Sequence, residues 1–423
     1  MDDVENSKTY VFRPSIEGKC ALKENFNIDP CDTPEQFSKF DHSSMNETLS
    51  FIDNSELPKI ITIYMPGLDA NSHKNGPDTQ ASYLKDYIEP EITRLLYGDS
   101  DYSGIKGSEG VTSIYDETII VITADHGQTS VIANDEHAIS TEELGNVLES
   151  AEYELLNINV SENPHFKDAV IAPNGGMAQI YIKDRTTYDW NDPPELIDDL
   201  HPALNAFYSK PYVDKILVKY SSSGGYRVYT GNNNTQDLET FFKDKPEYIN
   251  PVKRIRGLES TRSGDIILLA NYNNGYYFED KIEKGIHGGL NKDDSYIPLV
   301  FSGPTIRKGV SDSTPAMNID IAKTLSEILG FEMPNTDGNY LPIIDKNPPT
   351  SQVNLLPPTT ITLSATAAFT VSWSGTDDLS GIKSYDIQVK DDDSGEWNIW
   401  KQVTFLTTVT FIGQKGYIYY FRS

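Results

Sequence analysis

Thr118-Ile119-Ile120-Val121-Ile122-Thr123-Ala124-Asp125-His126-Gly127 decides how this chain folds: a β-branched apolar run stops at a carboxylate, an imidazole and a glycine. Such a run suits a buried strand, because branched side chains pack well on a pleated surface. The arrangement has a parallel upstream. Lys59-Ile60-Ile61-Thr62-Ile63-Tyr64-Met65, bounded by prolines, leads into Leu68-Asp69-Ala70-Asn71-Ser72-His73. A third polar stretch, Gly285-Ile286-His287-Gly288-Gly289, sets one histidine among glycines. Residues 178–182, 265–269 and 296–301 are further strand candidates, whereas 78–97, 194–207 and 318–330 have helical spacing. Ser140-Thr141-Glu142-Glu143 predicts a capped helix running to about residue 151. Strands interleaved with helices predict an α/β sheet with helices on both faces. In open sheets of that kind ligands collect beyond the strands' carboxyl ends, where Asp69 and Asp125 fall.

The same stretches name a metal site. Asp69 and His73 are four apart, so on a helix their side chains share one face and can share an ion. Asp125 and His126 are neighbours, which in a strand point to opposite faces; both reach one cation only if the chain turns, as Gly127 permits. His287 lies in a flexible setting that allows close approach to an ion. A set of imidazoles and carboxylates without thiolate suits Zn²⁺, with Mn²⁺ or Fe accepting the same donors. His42, His137, His165 and His201 lack comparable surroundings and read as surface or structural residues, His137 being the fallback ligand.

At 423 residues the chain exceeds what one core usually organises, which predicts two domains. Residues 1–57 are polar, with Pro14, Pro30 and Pro34 interrupting them, and read as a loop-rich segment. A domain over 1–345 is followed by Lys346-Asn347-Pro348-Pro349-Thr350 through Leu356-Pro357, a semi-rigid linker over 346–357. Beyond it, Phe369-Thr370-Val371-Ser372-Trp373, Tyr385-Asp386-Ile387-Gln388-Val389 and Tyr417-Ile418-Tyr419-Tyr420-Phe421 alternate as half-buried strands do, predicting a small β-sandwich over 358–423. A formal charge of −28 repels phosphate backbones and anionic headgroups, which excludes nucleic-acid binding through a basic patch. No run is long and apolar enough to span a membrane, and Met1-Asp2-Asp3-Val4-Glu5 has no signal-peptide character. Cys20 and Cys31 predict a local disulfide in an oxidising compartment, two free thiols being the alternative. Asn46, Asn159 and Asn233 begin glycosylation-type triplets.

Asp69-Ala70-Asn71-Ser72-His73-Lys74-Asn75-Gly76-Pro77, Ala124-Asp125-His126-Gly127 and His287-Gly288-Gly289 resemble the metal motifs of the alkaline phosphatase superfamily, in its type I phosphodiesterase/nucleotide pyrophosphatase branch. Residues 297–304, 318–324, 329–330 and 337–338 are similar to that family's closing strand, helix and final loop. The resemblance covers about 58–345 and implies an alkaline phosphatase-like sheet. It also implies two divalent metal ions, with Asp69, His73 and His287 on one and Asp125 and His126 on the other. Hydrolysis of a phosphodiester or pyrophosphate bond would then pass through a phosphorylated Thr or Ser, with a phosphate ester such as a nucleotide as substrate.

Members of that family begin with a strand ending in a metal-binding Asp, followed by the nucleophile at a helix start; residues 1–57 contain neither pattern. Thr33, Ser43 and Ser44 are hydroxyls there, none following an apolar strand. A chain that begins inside the domain accounts for this, and predicts weak turnover or none by the chain alone. The stretch 371–382 is similar to fibronectin type III/immunoglobulin-like modules of secreted microbial enzymes, and 419–423 read as the last strand of that module, cut short. It implies a secreted or cell-surface location, with surface or glycan contact through that module. The alternatives are a non-catalytic surface binding protein on a degenerate phosphodiesterase domain, a phosphomonoesterase of the superfamily, and, more distantly, a phosphosugar mutase.

Overall fold

The computed structural model describes residues 9–12, 32–106, 114–156, 166–220, 225–309, 315–356 and 364–423. Cys20, Cys31, Asn159 and His165 lie outside them. The described residues form a mixed α/β protein with several sheets. The chain divides into two units, Met1–Ile114 with Ala124–Pro298, and Tyr115–Thr123 with Leu299–Ser423.

The largest sheet belongs to the first unit. Its strands are β6 (Ala169–Asn174), β7 (Met177–Ile182), β8 (Val213–Lys219), β9 (Tyr226–Gly231), β10 (Asn234–Gln236) and β11 (Ile266–Ala270), in the order β10-β9-β8-β11-β7-β6. Every pairing is antiparallel. The central β11 is buried along its whole length, so both faces must be covered. Ile266 and Leu268 pack with Leu144 and Leu148 of α5 (Thr141–Ser150) and Leu204 and Phe207 of α6 (His201–Tyr208). On the other face Ile267 and Leu269 pack with Leu238 and Phe242 of α7 (Leu238–Phe242) and Ile255 of α8 (Pro251–Gly257). Ser140 caps α5 as its sequence predicts, accepting from the Glu143 amide.

The ligand-bearing strands lie elsewhere, which corrects the expectation of one sheet. β2 (Ile60–Ile63) pairs in parallel with β1 (Thr9–Phe12), and β3 (Ile120–Thr123) pairs antiparallel with β14 (Leu299–Ser302) in the second unit. Apolar periodicity identifies a strand but carries no information about its neighbour. That is why the sheet membership could not be read in advance.

Over 34–54 the loop-rich reading of 1–57 is also corrected, residues 1–8 and 13–31 lying outside the described residues. Pro34 to Asn54 form a 21-residue helix, α1 (Pro34–Asn54), with Thr33 as N-cap in a reciprocal capping box with Gln36. Pro34 occupies the first turn, where its missing N–H costs nothing. The periodicity was hidden because the inner face mixes Phe37, Met45 and Leu49 with buried Asp41, Ser44 and Thr48. Asp41 accepts from the Gly67 amide and the Tyr83 hydroxyl, joining α1 to the start of α2 (Gly67–Asn75). Only glycine fits at 67, since a Cβ there would run into Tyr83, Asp41 and the Phe37 carbonyl. Helical spacing over 78–97 is realised as a 3₁₀ turn, α3 (Gln80–Tyr83), a π turn and α4 (Glu89–Tyr97).

In the second unit, α10 (Asp320–Leu329) follows β14, and a sandwich-like region comes last. One of its sheets orders β15 (Thr350–Val353), β16 (Thr366–Thr376) and β19 (Thr408–Gln414). The other orders β18 (Asn398–Thr404), β17 (Tyr385–Asp391) and β20 (Tyr419–Arg422). Val371, Trp373 and Ile387 are its buried centre, ringed by Trp400, Phe411 and Phe421. β15 lies within the stretch that its prolines suggest is a linker. Val353 pairs with Trp373, and that partner draws 350–353 into the sheet.

Candidate metal centre

Asp69 and His73 project from α2 one turn apart, with Asp69 Oδ1 3.4 Å from His73 Nε2. The helix brings them together as the four-residue spacing requires. His287 arrives from the strand pair β4 (Thr129–Ser130) and β13 (Gly285–Ile286). Their antiparallel register matches Ile286 with Thr129, so His287 emerges opposite Gln128 and close to His126. The His126 and His287 rings stack with centroids 3.6 Å apart. This two-residue sheet is why motifs far apart in sequence meet.

The main sheet holds the assembly from behind. The hairpin turn between β6 and β7 donates from Gly176 N to the His287 carbonyl at 2.6 Å. A short pairing of β5 (Ala138–Ile139) with β12 (Tyr277–Phe278) approaches the same turn, since Gly175 N donates to the Phe278 carbonyl. Beside the histidine loop, buried Asp294 of α9 (Lys292–Ser295) accepts from Gly289 N and the Thr129 hydroxyl, and Arg254 donates to the Gly289 carbonyl. Burial pushes the Asp294 carboxyl up, against the opposing pull of those donors.

Asp69, His73 and His287 offer ligand atoms that all lie within 4.8 Å of one another. His287 Nε2 is 4.0 Å from Asp69 Oδ1. Donors around a tetrahedral ion with arms of about 2.1 Å stand about 3.4 Å apart, so the Asp69–His73 distance already matches and His287 closes with a small shift. His73 Nδ1 is 2.8 Å from the Gly285 carbonyl, which leaves Nε2 as the free donor. Burial, reinforced by the neighbouring His126, pushes His287 down to about 4, so at neutral pH its lone pair is available. Burial alone would raise Asp69, but the His73 hydrogen bond and the imidazoles outweigh it and keep the carboxyl below its usual range. For His73 burial is likewise opposed, and Asp69 carries the balance upward. An ionised carboxylate with two imidazoles fits a divalent cation of the Zn²⁺ type.

The second motif is less closed. The chain bends at Asp125 after β3, and its Oδ1 lies 3.7 Å from His126 Nε2. Both side chains therefore look the same way, as the turn through Gly127 permits. Gly127 is needed for close approach, because a Cβ would strike the Asp293 carbonyl. Asp125 and His126 stand outside the three-residue group, and the Asp125 side chain is 76% exposed.

Among the other candidates, Thr33 is engaged in capping α1, Ser44 is buried on its inner face, and Ser43 precedes it on the same helix. His137 contacts Asn134 and stacks on Tyr276, so the fallback ligand has a structural role. His42 pairs with Glu91 beside Arg94, and His201 is buried. Gln128 is the residue that sequence reading missed. Its amide donates to Asp69 Oδ1 at 2.6 Å from a buried position, tying the second motif to the first. Its place directly after Asp-His-Gly was the available signal.

Compared with known proteins, the chain matches no protein-family model, and no curated protein matches it. Among the described residues no helix is long and apolar enough to cross a membrane.

Proposed function

We propose that the first unit is a metal-dependent hydrolase of phosphodiester or pyrophosphate bonds, acting on a phosphate ester such as a nucleotide. The observation that carries this reading is the convergence of Asp69, His73 and His287, with His126 stacked against the third. The motif order and its resemblance to type I phosphodiesterases supply the reaction class. In this reading Asp69, His73 and His287 hold one ion, and Asp125 and His126 contribute to a second.

Bound divalent cations supply charge neutralisation at phosphoryl oxygens and a lowered pKa for an attacking hydroxyl or water. The chain's own residues prepare for that. Gln128 fixes the Asp69 carboxylate, and the Gly285 carbonyl fixes the His73 ring. The exposed Asp125 side leaves the approach open to substrate. A net charge of −28 repels a phosphate at long range, so the locally grouped imidazoles and their ions must overcome that field.

A non-catalytic surface binding protein is the second reading, favoured by the engagement of Thr33 and burial of Ser44 within α1. The test combines elemental analysis of the purified chain with hydrolysis of bis(4-nitrophenyl) phosphate. Metal uptake with turnover that His287→Ala abolishes supports the hydrolase. Uptake with nucleotide binding but no turnover supports the binding protein, and absence of metal uptake contradicts both.

A further inference from the structure

Glycines surround both stacked histidines, with Gly127 after His126 and Gly288-Gly289 after His287. Such loops are free to move unless they are tied, and a ligand on a free loop is poorly aimed. Both are tied to α9, which is itself seated in the core of the first unit. Leu290, two residues before α9, shares a core with Ile255 and Leu269, and its carbonyl accepts from Ile249 N at 2.9 Å. Asn291 caps α9, its Oδ1 accepting from Asp293 N at 2.9 Å and Asp294 N at 3.0 Å. Asp294 follows on this support and is 3% exposed.

From there Asp294 reaches in two directions. Its carboxylate takes the His287 side, Oδ2 accepting from Gly289 N at 2.6 Å. Oδ1 accepts from the Thr129 hydroxyl at 2.5 Å, which fixes β4 beneath its partner β13. Its backbone takes the His126 side, the Asp294 carbonyl accepting from Gly127 N at 2.9 Å. The Gly127 carbonyl in turn lies 3.0 Å from His126 Nδ1, which leaves Nε2 as the free donor atom of that ring. The His287 carbonyl is already held by Gly176 N, so the glycines after His287 are pinned on both sides. One buried residue therefore stands behind both rings, whose centroids are 3.6 Å apart.

We infer that Asp294 is the positioning residue that joins the two proposed metal sites, holding His126 of one and His287 of the other in register. This rests on the metal-dependent reading of the same centre. Asp294 acts through Gly127 and Gly289 and not as a ligand, since each of its carboxylate oxygens already accepts from a protein donor. Its reach differs from that of Gln128, which bonds Asp69 alone among the proposed ligands. Loss of Gln128 therefore touches the first ion, whereas loss of Asp294 touches both.

The test compares the full chain with Asp294→Ala and Asp294→Asn. In metal-free protein, hydrogen exchange read by mass spectrometry should quicken by about tenfold in Asp294→Ala over 126–131 and 286–291 together, with α5 and α6 unchanged. Zn²⁺ titration against a chromophoric chelator should show both ions weakened by about 10–100-fold, the range for loss of a group that orients ligands. Asp294→Asn keeps an oxygen for Gly289 N and turns its amide toward Thr129 Oγ1, whose proton still serves Asn291 Oδ1 at 2.9 Å. Exchange and both affinities should then return to within about threefold of the parent. Should Asp294→Ala fail to fold, Thr129→Val removes one donor to the carboxylate and should quicken exchange in the same two stretches. Exchange that quickens in one stretch alone, or a folded Asp294→Ala chain with the parent's exchange and zinc affinities, overturns the inference. A parent chain that takes up no zinc contradicts the metal reading itself, and exchange then still decides whether Asp294 ties the two histidine loops.

Discussion

Asp69 and Asp125 each follow a four-residue apolar strand and precede a histidine, yet the chain treats them differently. Asp69 sits on a helix, faces His73 across one turn, and is fixed by the Gln128 amide. Asp125 sits in a bend, where it accepts from the His126 amide and lies near the His126 ring, with its side chain 76% exposed. Position after a strand therefore delivers a carboxylate, but supporting hydrogen bonds decide whether it arrives as a finished ligand. The Asp69, His73 and His287 group is brought together by the protein, whereas Asp125 and His126 stand outside it.

The sharpest way to break that contrast is substitution at the two histidines grouped with Asp69. His73→Ala or His287→Ala should lower affinity for the first zinc by more than about 100-fold, above the range that loss of a supporting hydrogen bond produces. Asp125→Ala should leave that ion within about threefold, because Asp125 lies outside the three-residue group. Equal losses in a competition assay with a chromophoric chelator would erase the distinction.

A second prediction concerns how α2 is seated. Gly67→Ala should destabilise the first unit by about 3 kcal/mol, since its Cβ meets buried groups of α1 and α3 that have no room to move. Denaturant unfolding measures it, and a change below about 0.5 kcal/mol would show that the junction is slack.

Asp41 gives the same junction a pH dependence. Burial raises its carboxyl to about 6, against the Gly67 amide and Tyr83 hydroxyl that pull it down. The folded state therefore holds this proton to higher pH than the unfolded chain does. Its stabilising effect is full below about pH 4 and is lost as pH rises through about 6, a change of about 3 kcal/mol. Asp41→Asn should flatten melting temperature between those limits, and an unchanged slope would assign the dependence to other groups.

The smallest predicted effect tests the support itself. Gln128→Leu should weaken the first zinc site about tenfold without unfolding the protein. An unaltered affinity would mean that the Asp69–His73 pair is organised by α2 alone.

These distinctions were unevenly legible in the sequence. The four-residue spacing of Asp69 and His73 made their meeting legible, because local helix geometry sets it, whereas the grouping of His287 with them came only with the motif resemblance. The α1 helix was not legible, since Asp41, Ser44 and Thr48 occupy positions on its buried face where apolar residues would have shown the period. Nor was the partition of β2, β3 and β11 among separate sheets, which depends on pairing partners remote in sequence. Gln128 and Asp294 escaped for a related reason: each bonds a residue remote in sequence, Gln128 to Asp69 and Asp294 to Thr129.

Calorimetric titration of the metal-free chain with Zn²⁺, repeated on His287→Ala, tests the central claim most directly. The account predicts one tight ion per chain, a second weaker one, a rise in melting temperature on loading, and loss of the tight ion in the variant. A metal-free chain that takes up no zinc and melts unchanged in its presence would contradict it.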